Sequence, residues 1–170
     1  MKLINKRMSW KLYLLLLTIV FLLIWQFWVF FQNNYRIGID TQLEQSLPGY
    51  HVYLTDLNDK ELVVGKVYQF RTKGLSPFYS DGEKMVKYLR AIPGDEVSVQ
   101  SGTITVNNKQ VAWGLAQSNR LGVDESHFYG KKILAAGEYW FLGTHMNSFD
   151  SRYWGSVNED QIVGRAYPLF

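Results

Sequence analysis

The sequence contains no cysteine and only three histidines and four prolines among its 170 residues. Without cysteine, neither disulfides nor thiol catalysis is available. His51, His127 and His145 do not have metal-ligand spacing such as that of an H-E-x-x-H motif, and a lone histidine is usually structural or exposed. Neither a metal nor another cofactor is therefore expected. The chain also lacks internal repeats, long heptads and low-complexity runs.

Acidic residues are missing from the N-terminal segment. Lys2, Lys6, Arg7 and Lys11 come before the first acidic residue, and the rest of the chain holds 14 basic and 15 acidic residues. The basic pI of about 9.0 therefore arises in the tail. Because the remaining charges nearly balance, no nucleic-acid-binding surface is predicted.

A long apolar run follows the basic tail. Residues 12–31, LYLLLLTIVFLLIWQFWVFF, are apolar apart from Thr18 and Gln26. Twenty helical residues cover about 30 Å, the thickness of the hydrocarbon core of a bilayer. A cleaved signal peptide is the alternative, but its apolar core is usually about 7–15 residues and ends in a small-x-small site, which is lacking here. We therefore predict an uncleaved transmembrane signal anchor at 12–31. Since positive residues stay on the cytoplasmic side, residues 1–11 are predicted to form a cytoplasmic tail.

The remainder of the chain is predicted to form one β domain. Residues 32–45 are interpreted as a polar juxtamembrane connector, and residues 46–170 as an extracytoplasmic domain. From Val52 onward, short segments with strand patterns alternate with turn-rich stretches. The predicted strands are HVYL, LVVGKVYQF, MVKYLRAI, EVSV, TITV, QVAW, EYWFLG and IVGRAY. Residues 74–84 and 114–132 are predicted surface loops. The expected fold class is mainly β, a folded antiparallel sheet or barrel attached to one N-terminal membrane helix.

Two consecutive hairpins are predicted in EVSVQSGTITVNNKQVAW. The first turns at Ser101-Gly102 and the second at Asn107-Asn108, because glycine and asparagine tolerate positive φ.

The segment EKMVKYLRAIPGDEV places a lysine among apolar residues. Alternation along a strand puts Met85, Lys87, Leu89 and Ala91 on one face. Such a lysine either extends its ammonium to water or is buried and loses basicity. A serine nucleophile needs a base, and a lysine can serve only if its pKa falls from about 10.4 toward neutral. A Ser–Lys pair and an amphipathic structural lysine both remain open from this pattern.

A Ser–His–Asp triad could also be drawn from Ser148, His145 and Asp150. Three groups from one six-residue stretch converge at hydrogen-bond distance only with a special turn, which argues against this triad.

Three blocks, in this order, resemble the type I signal peptidase family (peptidase S26), and in particular its TraF-type branch of conjugative-transfer signal peptidases. They are SLPG at 46–49, KYLRAIPGDEV at 87–97 and GTHMNSFDSRYWGSV at 143–157. The resemblance implies Ser46 as nucleophile and Lys87 as general base. It also implies that Ser148 orients the lysine amine and that Asp150 and Arg152 form a supporting ion pair.

The sequence departs from the family pattern at several positions. Glu44 stands where the family often has a hydroxyl or small residue that helps to bind the oxyanion, so this role would pass to backbone N–H groups such as that of Ser46. Gly49 directly follows Pro48, Tyr88 replaces a frequent arginine, and the closing block is one residue shorter than in housekeeping signal peptidases.

The resemblance implies a membrane-anchored Ser/Lys endopeptidase that removes signal peptides or matures a pilin-like precursor in conjugative transfer or secretion. The expected location is the inner (cytoplasmic) membrane, with a single pass, a cytoplasmic N-terminus and a periplasmic or extracytoplasmic catalytic domain. Its partners would be a membrane-tethered precursor and the lipid bilayer. The alternative is a non-catalytic, membrane-anchored assembly protein of a pilus or secretion system. A LexA-like self-cleaving repressor fits less well, because that class is cytosolic and has a DNA-binding domain.

Overall fold

A computed structural model of the protein describes residues 9–40 and 46–170. The chain divides into two compact units between Tyr35 and Arg36. Most of the predicted cytoplasmic tail, residues 1–8, and the end of the predicted connector, residues 41–45, lie outside the described residues.

The first unit contains one long helix, α1, at Trp10–Asn34. It begins two residues before the predicted anchor at 12–31 and ends three residues after it. Its 25 residues measure about 37 Å, enough to cross the hydrocarbon core of a bilayer. By length and composition this is a candidate membrane span, and none of its described side chains is buried.

Two polar side chains of α1 donate hydrogen bonds to the backbone of the helix itself. Thr18 Oγ1 donates to the carbonyl oxygen of Leu14 at 3.0 Å, and Asn34 Nδ2 donates to that of Phe30 at 2.7 Å. Such internal bonds satisfy polar groups without water, as a lipid environment requires.

The second unit is mainly β, as predicted. In the part of the chain that the structure describes, eleven strands form two sheets. The strands are β1 (Tyr35–Ile39), β2 (Val52–Asp56), β3 (Val67–Arg71), β4 (Lys84–Ala91), β5 (Glu96–Gln100), β6 (Thr103–Val106), β7 (Lys109–Trp113), β8 (Gly130–Ile133), β9 (Glu138–Leu142), β10 (Val157–Asn158) and β11 (Ile162–Pro168). The larger sheet has the order β1-β2-β11-β3-β4-β9-β10 and the smaller one β7-β6-β5-β8. The pairs from β2 to β10 and those of the smaller sheet are antiparallel.

Short helical segments connect some of the strands. Helices α2 (Ser118–Leu121) and α3 (Ser151–Trp154) are each one turn long, and 3₁₀ turns occupy Glu125–Phe128 and Glu159–Gln161.

The two predicted hairpins are confirmed. Gln100 pairs with Thr103 across the first turn, and Val106 pairs with Lys109 across the second. All four turn residues have positive φ, namely Ser101, Gly102, Asn107 and Asn108. Two such residues in succession give the twist that suits a two-residue hairpin loop.

Three strands were not predicted, and all lie at sheet edges. Strand β1 falls inside the predicted connector, β8 overlaps the predicted loop at 114–132, and β10 has only two residues. An edge strand needs a backbone partner on one side and little burial, so its sequence need not alternate. All four residues of β8 are exposed. In contrast, LVVGKVYQF was predicted as a strand throughout, but β3 begins only at Val67, after a turn at Gly65 with φ +86°.

Strand β4 carries the face predicted for it. Met85, Lys87, Leu89 and Ala91 are all buried. Met85 and Leu89 belong to an apolar cluster with residues of neighbouring strands, Tyr68, Phe70 and Phe141. The Lys87 side chain therefore lies on the apolar face of the sheet.

Candidate active site

The Lys87 amine lies in the interior of the β domain. The residue is 4% exposed and stands opposite Tyr68 of β3. Its Nζ donates hydrogen bonds to the hydroxyls of Ser46 and Ser148, the second at 3.0 Å. Three residues separated by 41 and 61 positions thus meet at one amine.

Burial lowers the pKa of Lys87 to about 8 from its ordinary value of 10.5. The carboxylates of Asp150 and Asp40 act in the opposite direction, and the Arg152 guanidinium lowers the pKa further. Around pH 8, half of the molecules therefore carry a neutral amine, which can accept a proton.

Ser46 lies in the turn that leads into β2. It is 9% exposed, and its carbonyl oxygen accepts hydrogen bonds from the N–H groups of Thr144 at 2.9 Å and His145 at 3.4 Å. The segment after β9 thus holds the backbone of Ser46 next to Lys87. Glu44 lies outside the described residues.

A buried ion pair lies behind the three polar side chains. Arg152 Nε donates to Asp150 Oδ1 at 2.7 Å, and both side chains are almost fully buried. Asp150 Oδ2 also accepts the N–H of Gly143 at 2.9 Å. The guanidinium donates in addition to the carbonyls of Trp113 and Gly114, at 3.2 and 3.1 Å. The pair therefore links the segment after β9 to the end of β7 in the smaller sheet.

The contacts of the triad candidates differ from those of a Ser–His–Asp relay. His145 Nδ1 accepts the N–H of Asn147 at 3.2 Å, and Ser148 Oγ accepts from Lys87. The Asp150 carboxylate is bonded to Arg152 and Gly143. Over residues 9–40 and 46–170, no group of three or more His, Cys, Asp or Glu side chains is placed to hold a metal ion.

Gly143 is a site residue to which no role was assigned from the sequence. A Cβ at this position would overlap Ser148 Oγ and would lie 2.6 Å from Ser148 Cβ and 2.8 Å from the Ser46 carbonyl oxygen. Only glycine, which has a hydrogen atom in place of a side chain, fits between these two serines. The position opens the third of the family-like sequence blocks, but nothing in the spacing shows which backbone it approaches.

Gly143→Ala is expected to lower the free energy of unfolding by about 1–3 kcal/mol, because the added methyl must push one serine away. Urea unfolding of the full-length protein in detergent measures the change. Gly130→Ala is the matched control: a Cβ there meets no heavy atom within 4 Å. The control should stay within about 1 kcal/mol of the native protein. Equal stability of the two variants would show that the site tolerates the methyl group.

A cleft of about 690 Å³ reaches the Ser46 and Lys87 side chains. The first half of β4 lines it, including Lys84 and Val86. Strand β9 pairs with β4 only from Tyr88 onward, so in the described part of the chain no strand lies beside Lys84 and Val86 on the β9 side. The cleft therefore contains an open strand edge close to the serine hydroxyl.

The sequence model of the family described as "Signal peptidase, peptidase S26" matches residues 8–170. The chain belongs to this family. Among curated signal peptidases, it is 33% identical over 89 residues to the probable signal peptidase I-2 of Synechocystis sp., covering 52% of this chain and 38% of that protein. It is 34% identical over 92 residues to signal peptidase I T of Bacillus subtilis, covering 50% and 48%. It is 27% identical over 129 residues to signal peptidase IB of Staphylococcus aureus, covering 64% and 68%.

Among solved structures, a signal peptidase I from Enterococcus faecalis matches 63% of this chain and 97% of that chain, at 22% identity and a TM-score of 0.40. The matched region spans less than half the length of the signal peptidases of Synechocystis and B. subtilis.

Proposed function

We propose that this member of the signal peptidase family is a membrane-anchored serine endopeptidase with Ser46 as nucleophile and Lys87 as general base. One observation carries the proposal: the buried Lys87 amine, with its lowered pKa, is hydrogen-bonded to the Ser46 hydroxyl. Family membership suggests membrane-tethered precursors with signal peptides as substrates.

The proposed reaction proceeds through an acyl-enzyme. The neutral amine of Lys87 takes the proton of the Ser46 hydroxyl while the oxygen attacks the scissile carbonyl carbon. The resulting ammonium gives the proton to the leaving amine, and the C–N bond breaks. Water, deprotonated by the same amine, then attacks the acyl carbon. The bond to Ser46 Oγ breaks, and the ammonium returns the proton to this oxygen. Ser148 holds the amine in place through its 3.0 Å bond, and backbone N–H groups such as that of Ser46 stabilise the oxyanion.

An extended substrate binds along the open edge of β4 in this proposal. The bond from the N–H of Leu89 to the carbonyl of Lys66 indicates that odd-numbered β4 residues bond to β3. Because these bonds alternate along an antiparallel strand, the backbone groups of Lys84 and Val86 point the other way, into the cleft. A substrate strand pairs with them and brings its scissile bond to Ser46.

Three finer features belong to the same proposal. The three sequence blocks and the short closing block favour a TraF-type enzyme that matures a pilin-like precursor in conjugative transfer. The 25 residues of α1 and the four basic residues before Leu12 support a single pass with a cytoplasmic N-terminus. Residues 46–170 then form the catalytic domain on the outer side of the cytoplasmic membrane.

Co-expression of the full chain with precursors tests the function. We expect the native protein to shorten a signal-peptide-bearing or pilin-like precursor, and Ser46→Ala to abolish this. Ser126→Ala, at an exposed serine on a 3₁₀ turn, is the control and should process normally. The acyl group can be released by water, which gives a linear product, or by an amine of the substrate, which gives a cyclic one. Mass spectrometry of the mature termini separates these two products. Normal processing by a folded Ser46→Ala variant would exclude the dyad, whereas absence of processing by the native protein would favour a non-catalytic assembly protein.

The rate of cleavage is expected to rise with pH through an apparent pKa of about 8, because only the unprotonated Lys87 amine can act as base. Asp40→Asn should move this rise to lower pH, since the Asp40 carboxylate raises the pKa of Lys87. The measurement is kcat/KM between pH 6 and 10. A profile that is flat over this range would contradict the role of Lys87.

A further inference from the structure

Gln69, which lines the cleft, carries an unpaired polar atom. It lies on β3, is 2% exposed, and lines the same cleft as Ser46 and Lys87. Its Oε1 is buried and has no hydrogen-bond partner among the residues that the structure describes. A buried acceptor without a donor costs free energy, so such a group calls for an explanation.

The register of the sheet places this amide on the other face of the sheet from the Lys87 side chain. Gln69 stands directly opposite Val86, whereas Lys87 stands opposite Tyr68. Directly opposed residues of an antiparallel pair project to the same face, and neighbours along a strand project to opposite faces. Gln69 therefore shares its face with Val86, one of the two residues at the open edge.

The polar groups that line the cleft leave the Gln69 Oε1 without a donor among the described residues. Gly38 of β1 lies beside the amide, and a Cβ there would be in ordinary van der Waals contact with Nε2, at 3.5 Å. Tyr53 also lines the cleft, but its hydroxyl donates to the carbonyl of Tyr50 at 3.0 Å. The Asp40 carboxylate, another wall group, is an acceptor as well. A small ligand group with a donor would fit here.

We propose that Gln69 determines substrate specificity by accepting a hydrogen bond from a serine or threonine hydroxyl of the substrate. This inference rests on the proposed function, because it uses a substrate strand along Lys84 and Val86. Side chains of that strand alternate between the two faces of the sheet. The substrate side chain that lies beside Val86, on the face that Val86 shares with Gln69, therefore reaches the amide. A hydroxyl loses little by desolvation, whereas a buried ammonium opposite a neutral amide would lose much more.

Peptide binding tests the proposal without requiring cleavage. Full-length Ser46→Ala protein in detergent is titrated with fluorescent peptides that carry alanine, serine, threonine, valine or lysine at each of the three positions before the cut. We expect serine or threonine to bind about 3–10-fold more tightly than alanine or valine at one of these positions, as one added hydrogen bond allows.

Adding Gln69→Met should abolish this preference. The double variant should also unfold at higher urea concentration, because an unpaired buried acceptor has been removed. Gln117→Met is the matched control: Gln117 lines the same cleft, but its Nε2 already donates to the Asn147 carbonyl at 2.7 Å. The preference should persist in this control.

The outcomes separate the inference from the function on which it rests. Loss of the preference with Gln69→Met but not with Gln117→Met supports the inference. This holds even if the protein with Ser46 intact cleaves none of these peptides and the proposed function fails. Cleavage without any hydroxyl preference, a preference for lysine, or a preference that survives Gln69→Met overturns the inference and leaves the proposed function intact.

Discussion

Lys87→Met is expected to abolish precursor cleavage and, at pH 7, to raise the free energy of unfolding. Cleavage is lost because methionine cannot take the proton of the Ser46 hydroxyl. Stability rises because a buried lysine that must remain protonated at pH 7 is costly. A fall of the pKa from 10.5 to about 8 corresponds to a penalty of about 3 kcal/mol.

Part of this gain is offset by lost hydrogen bonds. The amine donates to Ser46 and Ser148, and each lost bond costs about 1 kcal/mol. The net stabilisation at pH 7 is then about 1 kcal/mol. Because the folded lysine has the lower pKa, the unfolded chain holds more protons between pH 8 and 10.5. Native stability therefore rises with pH across this window, and the advantage of Lys87→Met should disappear there.

Urea unfolding at pH 7 and pH 9.5, together with a precursor assay, checks both parts. Lys87→Arg should also be inactive, because a guanidinium stays protonated. Lys109→Met, at an exposed position of β7, is the control and should change neither property. Cleavage by Lys87→Met would disprove the general base. A variant that is markedly less stable than the native protein at pH 7 would show that the lysine contributes to stability instead.

Asp150→Asn is expected to lower the free energy of unfolding by about 3–5 kcal/mol, the usual effect of removing one partner of a buried ion pair. The change leaves the Arg152 guanidinium, 3% exposed, without its counter-charge. It also weakens the bond to the Gly143 N–H and hence the approach of this segment to Ser46 and Ser148. Cleavage should therefore fall together with stability.

A matched surface pair provides the control for this effect. Lys131 and Glu96 lie 2.8 Å apart, with side chains 61% and 28% exposed, so Lys131→Met should cost less than about 1 kcal/mol. The double variant Asp150→Asn, Arg152→Met should recover part of the loss, because no uncompensated charge stays buried. Urea unfolding of the four proteins gives the values. Similar losses for the buried and the exposed pair would contradict the structural role of Asp150.

Strands with regular alternation could be predicted from the sequence, and those without it could not. The buried face of β4 and both hairpins follow from local patterns, since side-chain alternation and turn residues act over a few positions. Strands β1, β8 and β10 escaped prediction because each is held by backbone bonds to one neighbour, which no side-chain pattern records. Strand β7 is also an edge strand, but the Asn-Asn turn before it indicates a hairpin.

The candidate site shows the same division. Ser46, Lys87 and Ser148 were proposed from motif resemblance. The structure places the hydroxyls of both serines at the Lys87 amine. Gln69 and Gly143 gave no signal of their own. The importance of Gln69 depends on its unpaired Oε1 and its place opposite Val86, and that of Gly143 on the close approach of Ser148 and Ser46.

The order of neighbouring residues was enough to specify the apolar helix at the N-terminus, the mainly β character of the remaining chain and the alternation that turns Lys87 toward apolar neighbours. Each of these properties is local. The contact of the amine with two serine hydroxyls, the burial of Asp150 and Arg152 behind them and the open edge of β4 belong to the folded domain. They arise from the pairing of strands far apart in the chain, and local order does not specify that pairing.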